Sequence, residues 1–349
     1  MLRNEDRILA TLSKLDSILS KNESFGKQKG DDMPFLDTLA HWLNGRQARI
    51  SPNTYNGYKS CIDAHIRPFF TREKPLMLTG VTYELVQEFA GLLVSQKKSP
   101  KTIRKIIKEV LQQFFTVMVK AGNIDRTPVT LVEIPKLNHK PKDAYTADEL
   151  AKLLKVIPKE HPWRISVYLL AFTGIRRGEL LGLTWDNVHL DEGYIFICKT
   201  NVATRGEKTC IKETTKTRAG RRSIPISPNV VKALKYHKNH IQKGSCNLVI
   251  EGMTALGKGK PVDGNNFKRT WKRWTEKAGI RYLGIHAVRH FYVTESLNCG
   301  ASMSDTQKLM GWADMRMFMT YEDPKQRANA VRNTAEMIST GLTEQLGAF

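Results

Sequence analysis

The sequence lacks the features that mark several classes of protein. It has no apolar run long enough to cross a bilayer, and its first residues, "MLRNEDRILATLSKLDSILSK", mix charges where a signal peptide needs an apolar stretch. Its five cysteines form no CxxC pair, which excludes a recognisable disulfide framework or thiolate zinc site. We therefore expect a cytoplasmic protein with inert thiols and no membrane partner.

Acidic residues are also in the minority. The chain has 55 Lys and Arg against 34 Asp and Glu, a formal net charge of +21. Residues 1–35 are neutral, whereas residues 136–349 carry 35 basic and 20 acidic side chains. This excess favours a large polyanionic partner, because each neutralised phosphate releases counterions. A basic protein without such a partner is the alternative.

The N-terminal 34 residues predict a short amphipathic helix and a linker. Ile8, Leu12, Leu15 and Leu19 share one helical face, and a polar, glycine-containing stretch follows. The neutral charge argues against a DNA-binding arm. A helix contact within an oligomer and a simple capping helix both remain open.

Residues 35–126 predict a compact all-α domain of four helices, two of which begin with Ser-Pro. Basic side chains concentrate around the start of the fourth helix, where a DNA backbone could lie or where the face is merely solvated: Lys97, Lys98, Lys101, Arg104, Lys105 and Lys108. Residues 127–143 contain three prolines and no periodicity, which is typical of an interdomain linker.

A second domain is predicted over residues 144–325. It begins with a capping box, in which Thr146 is the N-cap and Glu149 the third helical residue. The stretches "YIFICKT" and "RRSIPIS" predict strands around a turn that contains Gly220. The rest is mostly helical, so the chain as a whole is mainly α with a small β-sheet.

Two stretches of this domain carry anion-binding chemistry. In "LAFTGIRRGELLGLTW" a helix breaks at Gly174 and resumes with Arg176, Arg177 and Glu179. Arginine beside a helix start suits a phosphate oxygen, although a surface Arg–Glu pair is the alternative. In "LGIHAVRHFYVTESL" the spacing of His286 and Arg289 fits a pair that faces one anionic group.

His290 completes the second stretch. His286 and His290 are four residues apart and could share a metal, but no third ligand stands at a recognisable spacing, so no metal site is expected. His290 is then a packing or supporting residue.

The last stretch is "GWADMRMFMTYEDP", in which Tyr321 taken alone is a core aromatic. With Lys216 and Trp312, the domain nevertheless holds the groups that phosphoryl transfer without a metal requires. Two guanidinium groups neutralise the charge that develops on the phosphate, and acid–base groups serve the nucleophile and the leaving oxygen.

Over residues 36–325 the sequence resembles the tyrosine recombinases of the phage integrase class. "TGIRRGEL" resembles the first arginine box, "HAVRH" the HxxR box, and "GW" the step nine residues before the nucleophile. The resemblance implies a SAM-like core-binding domain followed by an α+β catalytic domain. It makes Arg176, Lys216, His286, Arg289, Trp312 and Tyr321 the catalytic residues, with Glu179 and His290 in support.

The resemblance also implies roles. Tyr321 is the nucleophile, Lys216 protonates the departing 5′ oxygen, and His286 is an acid–base group. Trp312 stands where most bacterial members have histidine, so it can donate to the phosphate but cannot exchange a proton. Tyr282 and Tyr292 flank the HxxR box and are the other tyrosines to weigh, but Tyr292 shares a helix with Arg289 and would attack awkwardly.

The implied activity is site-specific DNA recombination through a 3′-phosphotyrosyl intermediate and a Holliday junction, without a cofactor. The implied partners are double-stranded DNA, three further copies in a tetramer on two duplexes, and an accessory directionality factor, in a bacterial or phage-encoded, nucleoid-associated protein. Further DNA-contact candidates are Arg177, Arg218 and Arg221. Residues 326–349 predict an amphipathic helix that docks on a neighbouring protomer or on its own domain.

Two other functions stay open at this point. A type IB topoisomerase shares the chemistry, and a recombinase-derived DNA-binding regulator would lack it. The N-terminal extension favours a mobile-element role over dimer resolution.

Overall fold

The computed structural model describes residues 33–137, 143–203, 209–213, 220–242, 247–253, 257, 259–312 and 314. The chain divides into two compact units, Met1–Asn138 and His139–Phe349. The predicted helices at the two ends, and the side chains of Lys216, Arg218 and Tyr321, lie outside the described residues.

The first unit contains the four predicted helical stretches. Two of them pass through a π-helical segment, one at Ile62–Ile66 and the other at Lys105–Leu111. The helices are α1 Phe35–Gly45, α2 Pro52–Cys61, α3 Arg67–Phe70, α4 Tyr83–Ser95, α5 Pro100–Arg104 and α6 Gln112–Lys120.

Both Ser-Pro pairs start helices as predicted. The hydroxyl of Ser51 accepts a hydrogen bond from the backbone N–H of Thr54, and Ser99 does the same for Thr102. Proline occupies the first helical turn in each case, where its missing N–H costs no hydrogen bond.

Aromatic packing forms the core of this unit. Phe35, Phe114 and Phe115 are fully buried, and their ring centroids lie 5.0 to 5.8 Å apart. The first part of the predicted linker also packs here: Val129 and Val132 are buried in the same core. Lys108, one of the lysines of the predicted DNA face, donates to the carbonyl oxygens of Val129 and Thr130 and so also holds this segment.

The second unit combines helices with two small antiparallel sheets. Its helices are α7 Ala147–Val156, α8 Ile165–Thr173, α9 Arg177–Leu181, α10 Pro228–Tyr236, α11 Gly264–Lys277, α12 His286–Asn298 and α13 Met303–Met310. Its strands are β1 Val188–His189, β2 Tyr194–Ile197, β3 Lys199–Val202, β4 Cys210–Glu213 and β5 Arg222–Pro225.

The predicted pairing of "YIFICKT" with "RRSIPIS" is present, with Ile195 opposite Ile224 in a three-stranded sheet ordered β1-β2-β5. Between these strands the chain forms a second hairpin, in which β3 pairs with β4. This hairpin was not predicted from the sequence. The strands "KTNV" and "CIKE" are short and largely polar, so they carry no alternating pattern.

The predicted capping box is present at the start of α7. Thr146 accepts from the N–H of Glu149, and the Glu149 carboxylate accepts from the N–H of Thr146. A core of aliphatic side chains with Phe267 and Trp271 joins the helices to the sheet. Among the residues that the structure describes, no helix has both the length and the apolarity that a membrane span requires.

Candidate active site

Two helices of the second unit end at glycines in the left-handed conformation. Gly174 follows α8 with φ +59°, and Gly311 follows α13 with φ +60°. A Cβ on Gly174 would lie 2.5 Å from the Tyr292 ring and 2.9 Å from the end of Met310, so no larger residue fits. The glycines of the "TGIRRGEL" and "GW" motifs therefore set helix ends that bring the two motifs together.

Arg176 is the N-cap of α9, the helix that follows Gly174. Its guanidinium donates to Glu179 Oε1 at 2.7 Å and to the Gly311 carbonyl at 3.2 Å. The backbone N–H of Arg176 donates to Glu179 Oε2 at 2.8 Å. The Arg176 side chain remains 40% exposed, so an external anion can reach it.

Glu179 is buried, and a second arginine holds it. Arg222, from β5, donates to both carboxylate oxygens at 3.1 and 2.9 Å. Burial would raise the pKa of Glu179, but the hydrogen bonds and charges of Arg222 and Arg176 outweigh it and lower that pKa to about 2. Glu179 is thus an anion that orients two guanidinium groups.

Arg289, on α12, is only 1% exposed. Its guanidinium donates to the Gly174 carbonyl at 2.7 Å and to the Met310 carbonyl at 2.6 Å. It also lies 5.6 Å from the centroid of the Trp312 ring, within cation–π range. Arg289 therefore connects the ends of α8 and α13 with the tryptophan of the "GW" motif.

Three arginines from separate elements bind three consecutive carbonyls at the end of α13. Arg222 Nε donates to Leu309 at 2.6 Å, Arg289 to Met310 and Arg176 to Gly311. The last carbonyls of a helix have no partners within the helix and carry partial negative charge, so cations stabilise this end. The two arginines of the predicted catalytic set thus meet where the "GW" segment begins.

His286 is exposed at the first position of α12, whereas His290 is buried one turn later. Their rings pack edge to face with centroids 5.0 Å apart. Within the described part of the chain, no three His, Cys, Asp or Glu side chains are arranged to hold a metal ion. The placement fits an accessible role for His286 and a supporting one for His290.

Trp312 and Tyr292 belong to a small apolar cluster with Val293 and Met310. Burial raises the pKa of the Tyr292 phenol, which disfavours the phenolate that attack on phosphorus requires. This observation weakens Tyr292 as an alternative nucleophile.

The candidate DNA contacts occupy several places. Lys97, Lys101 and Arg104 are exposed, and Lys98 and Lys105 are half-buried. In the second unit, Arg177 is exposed and approaches the Gly264 carbonyl at 3.4 Å. Arg221 is half-exposed and lies 3.5 Å from Glu213.

The comparisons with known proteins agree with this geometry. A model described as the phage integrase family matches residues 144–327, and one described as its N-terminal SAM-like domain matches residues 35–78. The chain belongs to the phage integrase family.

Its curated relatives are named tyrosine recombinases. One from Caldanaerobacter subterraneus subsp. tengcongensis, "Tyrosine recombinase XerC-like", is 29% identical over 72% of this chain and 70% of its own length. "Tyrosine recombinase XerD" of Staphylococcus haemolyticus is 23% identical over 78% of this chain and 88% of its own length. This chain, like them, is an enzyme of the tyrosine recombinase type.

Solved structures share the fold at low identity. A Tn1549 transposon integrase with circular intermediate DNA has 21% identity and a TM-score of 0.71, covering 86% of this chain and 99% of that one. A lambda integrase tetramer bound to a Holliday junction has 19% identity and a TM-score of 0.62, covering 82% of this chain and 76% of that one. The SAM-like and α+β architecture implied by the motifs is thereby confirmed.

Two features of this integrase-family site were not predicted from the sequence. The first is Arg222, which shares the buried face of β5 with Ile224; an arginine on the inward face of a strand signals a buried partner. The second is the outer face of α11, where Lys268, Arg269, Lys272 and Arg273 are all exposed. The helical spacing of that basic cluster was readable from the sequence.

Proposed function

We propose that this chain is a site-specific DNA recombinase that cleaves and rejoins strands through a phosphotyrosyl intermediate. The observation that carries the proposal is the convergence of Arg176, Arg289 and Trp312 at the end of α13. The proposal accounts for an accessible guanidinium group, that of Arg176, with the buried guanidinium group of Arg289 near the same helix end.

In the proposed reaction the scissile phosphate approaches Arg176, whose side chain is accessible, with Arg289 behind it. The Tyr321 oxygen attacks phosphorus, and its proton passes to a base for which His286 is the candidate. The bond from phosphorus to the 5′ oxygen breaks, and Lys216 gives that oxygen a proton. The two arginines and the Trp312 N–H stabilise the charge on the phosphate oxygens as it grows.

The later steps use the phosphotyrosyl bond formed in the first. The phosphotyrosyl link conserves the energy of the phosphodiester, so a 5′ hydroxyl from a partner strand can attack it and release Tyr321. Two such exchanges, separated by a Holliday junction, complete recombination.

Basic surface on both units supports a duplex partner. In the first unit Lys97, Lys101 and Arg104 are exposed near the start of α5. In the second, the four basic side chains of α11 are exposed. Three of them line a groove together with Asn265 and Tyr282: Lys268, Arg269 and Lys272. Contacts of this kind make affinity fall steeply with salt.

The deciding experiment traps the covalent intermediate. The protein is incubated in EDTA with duplex DNA from the ends of its own genetic element, and adducts are resolved on denaturing gels. The unaltered protein forms an adduct and Tyr321→Phe forms none, whereas Tyr168→Phe, a half-buried tyrosine of α8, reacts normally.

The same gel identifies the nucleophile, and assays of DNA relaxation and DNA binding separate the other functions. An adduct that persists in Tyr321→Phe and disappears in Tyr292→Phe would make Tyr292 the nucleophile. Relaxation of supercoiled DNA by a monomer without paired sites would indicate a topoisomerase, and sequence-specific binding without any adduct would indicate a regulator.

The proposed biological role is integration and excision of a mobile element by four copies of the chain. Support comes from the fold shared with a transposon integrase and with a lambda integrase tetramer on a Holliday junction. The test is a plasmid with two element ends: excision should yield a circular product, and mass measurements on a synthetic four-way junction should show four protein copies. Binding of one or two copies would contradict the tetramer.

A further inference from the structure

We infer that Arg222 is a positioning residue, one that sets Arg176 through Glu179 and fixes the end of α13 at the same time. This inference rests on the proposed function, because the groups that Arg222 positions are those proposed to act on the phosphate. Arg222 belongs to neither of the arginine boxes, and it lies on β5, an element with no other part in the site.

The geometry gives Arg222 two separate connections. Its two terminal nitrogens bind both oxygens of Glu179 in a side-by-side arrangement, and its Nε binds the Leu309 carbonyl at 2.6 Å. One planar guanidinium thus spans a carboxylate and a helix end. Lysine cannot reproduce this, because its ammonium is a single point charge without the two-pronged geometry.

Glu179 passes the first connection on to Arg176. The same Oε1 that accepts from Arg222 also accepts from Arg176, and Oε2 accepts from the Arg176 backbone. With Arg222 in place, the carboxylate plane is fixed and with it the direction of the Arg176 fork. Without it, the buried carboxylate turns towards Arg176 alone and draws that guanidinium away from the phosphate position.

The second connection acts on the segment that follows α13. Leu309 is two residues before Gly311, whose carbonyl binds Arg176, and three before Trp312. Holding Leu309 therefore fixes the start of the chain that leads through Trp312 towards Tyr321. Arg222 links the alignment of the phosphate-binding arginine to the placement of the nucleophile's segment.

Arg281 offers a matched control in the same unit. Its Nε donates to Glu149 at 2.8 Å and its Nη2 to the Ala144 carbonyl at 2.8 Å, so it too spans a carboxylate and a backbone oxygen. Its side chain is 47% exposed, and its hydrogen bonds join the loop before α12 to α7 and to Ala144. Arg281→Lys removes an equivalent fork from a place that the inference does not involve.

The first arm of the test uses the free protein and needs no DNA. Amide hydrogen exchange is followed in Arg222→Lys, Arg281→Lys and the unaltered chain. We expect exchange to accelerate about 10-fold or more at Arg176, Gly311 and Trp312 in Arg222→Lys only, since local opening follows the loss of the contacts that hold a segment. Equal exchange in the two variants would overturn the inference.

The second arm measures single-turnover adduct formation against DNA concentration. A small misplacement of a catalytic group can cost about 100-fold in rate, so Arg222→Lys should lose about that factor at saturating DNA while half-saturation shifts less than about 3-fold. Adding Arg222→Lys to Arg176→Lys should cost less than about 3-fold more, because residues that act through one another are not additive. If the rate losses of the two single variants multiply in the double variant, Arg222 does not act through Arg176 and its role is merely structural.

The two failures are distinguishable. If the unaltered protein forms no adduct with its DNA, the proposed function is wrong and the positioning role falls with it. If it forms the adduct and Arg222→Lys reacts as fast, the proposed function stands and only the inference about Arg222 is wrong.

Discussion

The interiors of the two units differ in what they bury. Within the described residues, all twelve buried polar or charged side chains belong to the second unit, including Glu179, Arg222, Arg289 and His290. The first unit buries apolar and aromatic side chains, such as the Phe35, Phe114 and Phe115 cluster. A buried charge destabilises a fold unless it is paired and hydrogen-bonded. The second unit therefore needs partners for its buried charged groups, and the first unit does not.

The difference indicates a division of labour. Apolar burial is non-directional, so it stabilises the first unit without fixing any one polar group. The ion pairs around Glu179 and the carbonyl contacts of Arg289 instead fix guanidinium groups in definite directions. Substitutions in the second unit's cluster should therefore damage chemistry, and substitutions in the first unit's core should damage stability.

The largest expected effect is on chemistry, from Arg289→Lys. Lysine keeps the charge but cannot bind both the Gly174 and the Met310 carbonyls while facing a phosphate. Loss of one preorganised group at a developing oxyanion costs about 100- to 1,000-fold, so single-turnover adduct formation at saturating DNA should fall by that amount.

The control for this substitution lies in the first unit. Arg67 is exposed on α3, and Arg67→Lys should leave the rate unchanged. If the two variants react equally fast, Arg289 has no part in the reaction. The buried charges of the second unit would then not explain its proposed catalytic role.

The next effect is on stability, from Phe114→Ala. This ring is fully buried and contacts the rings of Phe35, Trp42 and Phe115. Truncating a buried phenylalanine costs about 4 kcal/mol, so hydrogen exchange should lose protection across α1 to α6 and keep it in the second unit.

Leu131→Ala provides the comparison, because Leu131 is 78% exposed and should change stability by less than about 0.5 kcal/mol. Protection lost equally from both units would show that they unfold together. Such a result would mean that the core of the first unit is not stable independently of the second.

How much the sequence revealed depends on the kind of signal. Helix starts such as Ser51 and Thr146 have local causes and were predicted correctly. The proximity of Arg176 and Arg289 followed from family motifs, because no local rule joins residues so far apart in the chain. Arg222 was missed since its partner, Glu179, is 43 residues away and only the fold brings them together. The contacts of Lys108 with the Val129 and Thr130 carbonyls were not predicted, because these carbonyls lie on a segment without periodicity.

The last and smallest effect concerns pH, because Glu179 has a pKa lowered from 4.5 to about 2. Above pH 4.5 the carboxylate is ionised in the folded and unfolded chain alike, and its ion pairs stabilise the fold fully. As pH falls towards 2, the unfolded chain takes up the proton first, and a stabilisation of about 3 kcal/mol is lost. Urea unfolding of the second unit should therefore depend less steeply on pH, between 4.5 and 2, in Glu179→Gln than in the unaltered protein.

The control is the same substitution at the exposed Glu276, which should leave the pH dependence of unfolding unchanged. If Glu179→Gln also left it unchanged, the guanidinium groups around Glu179 would not stabilise its charge, and the buried cluster would no longer distinguish the second unit from the first.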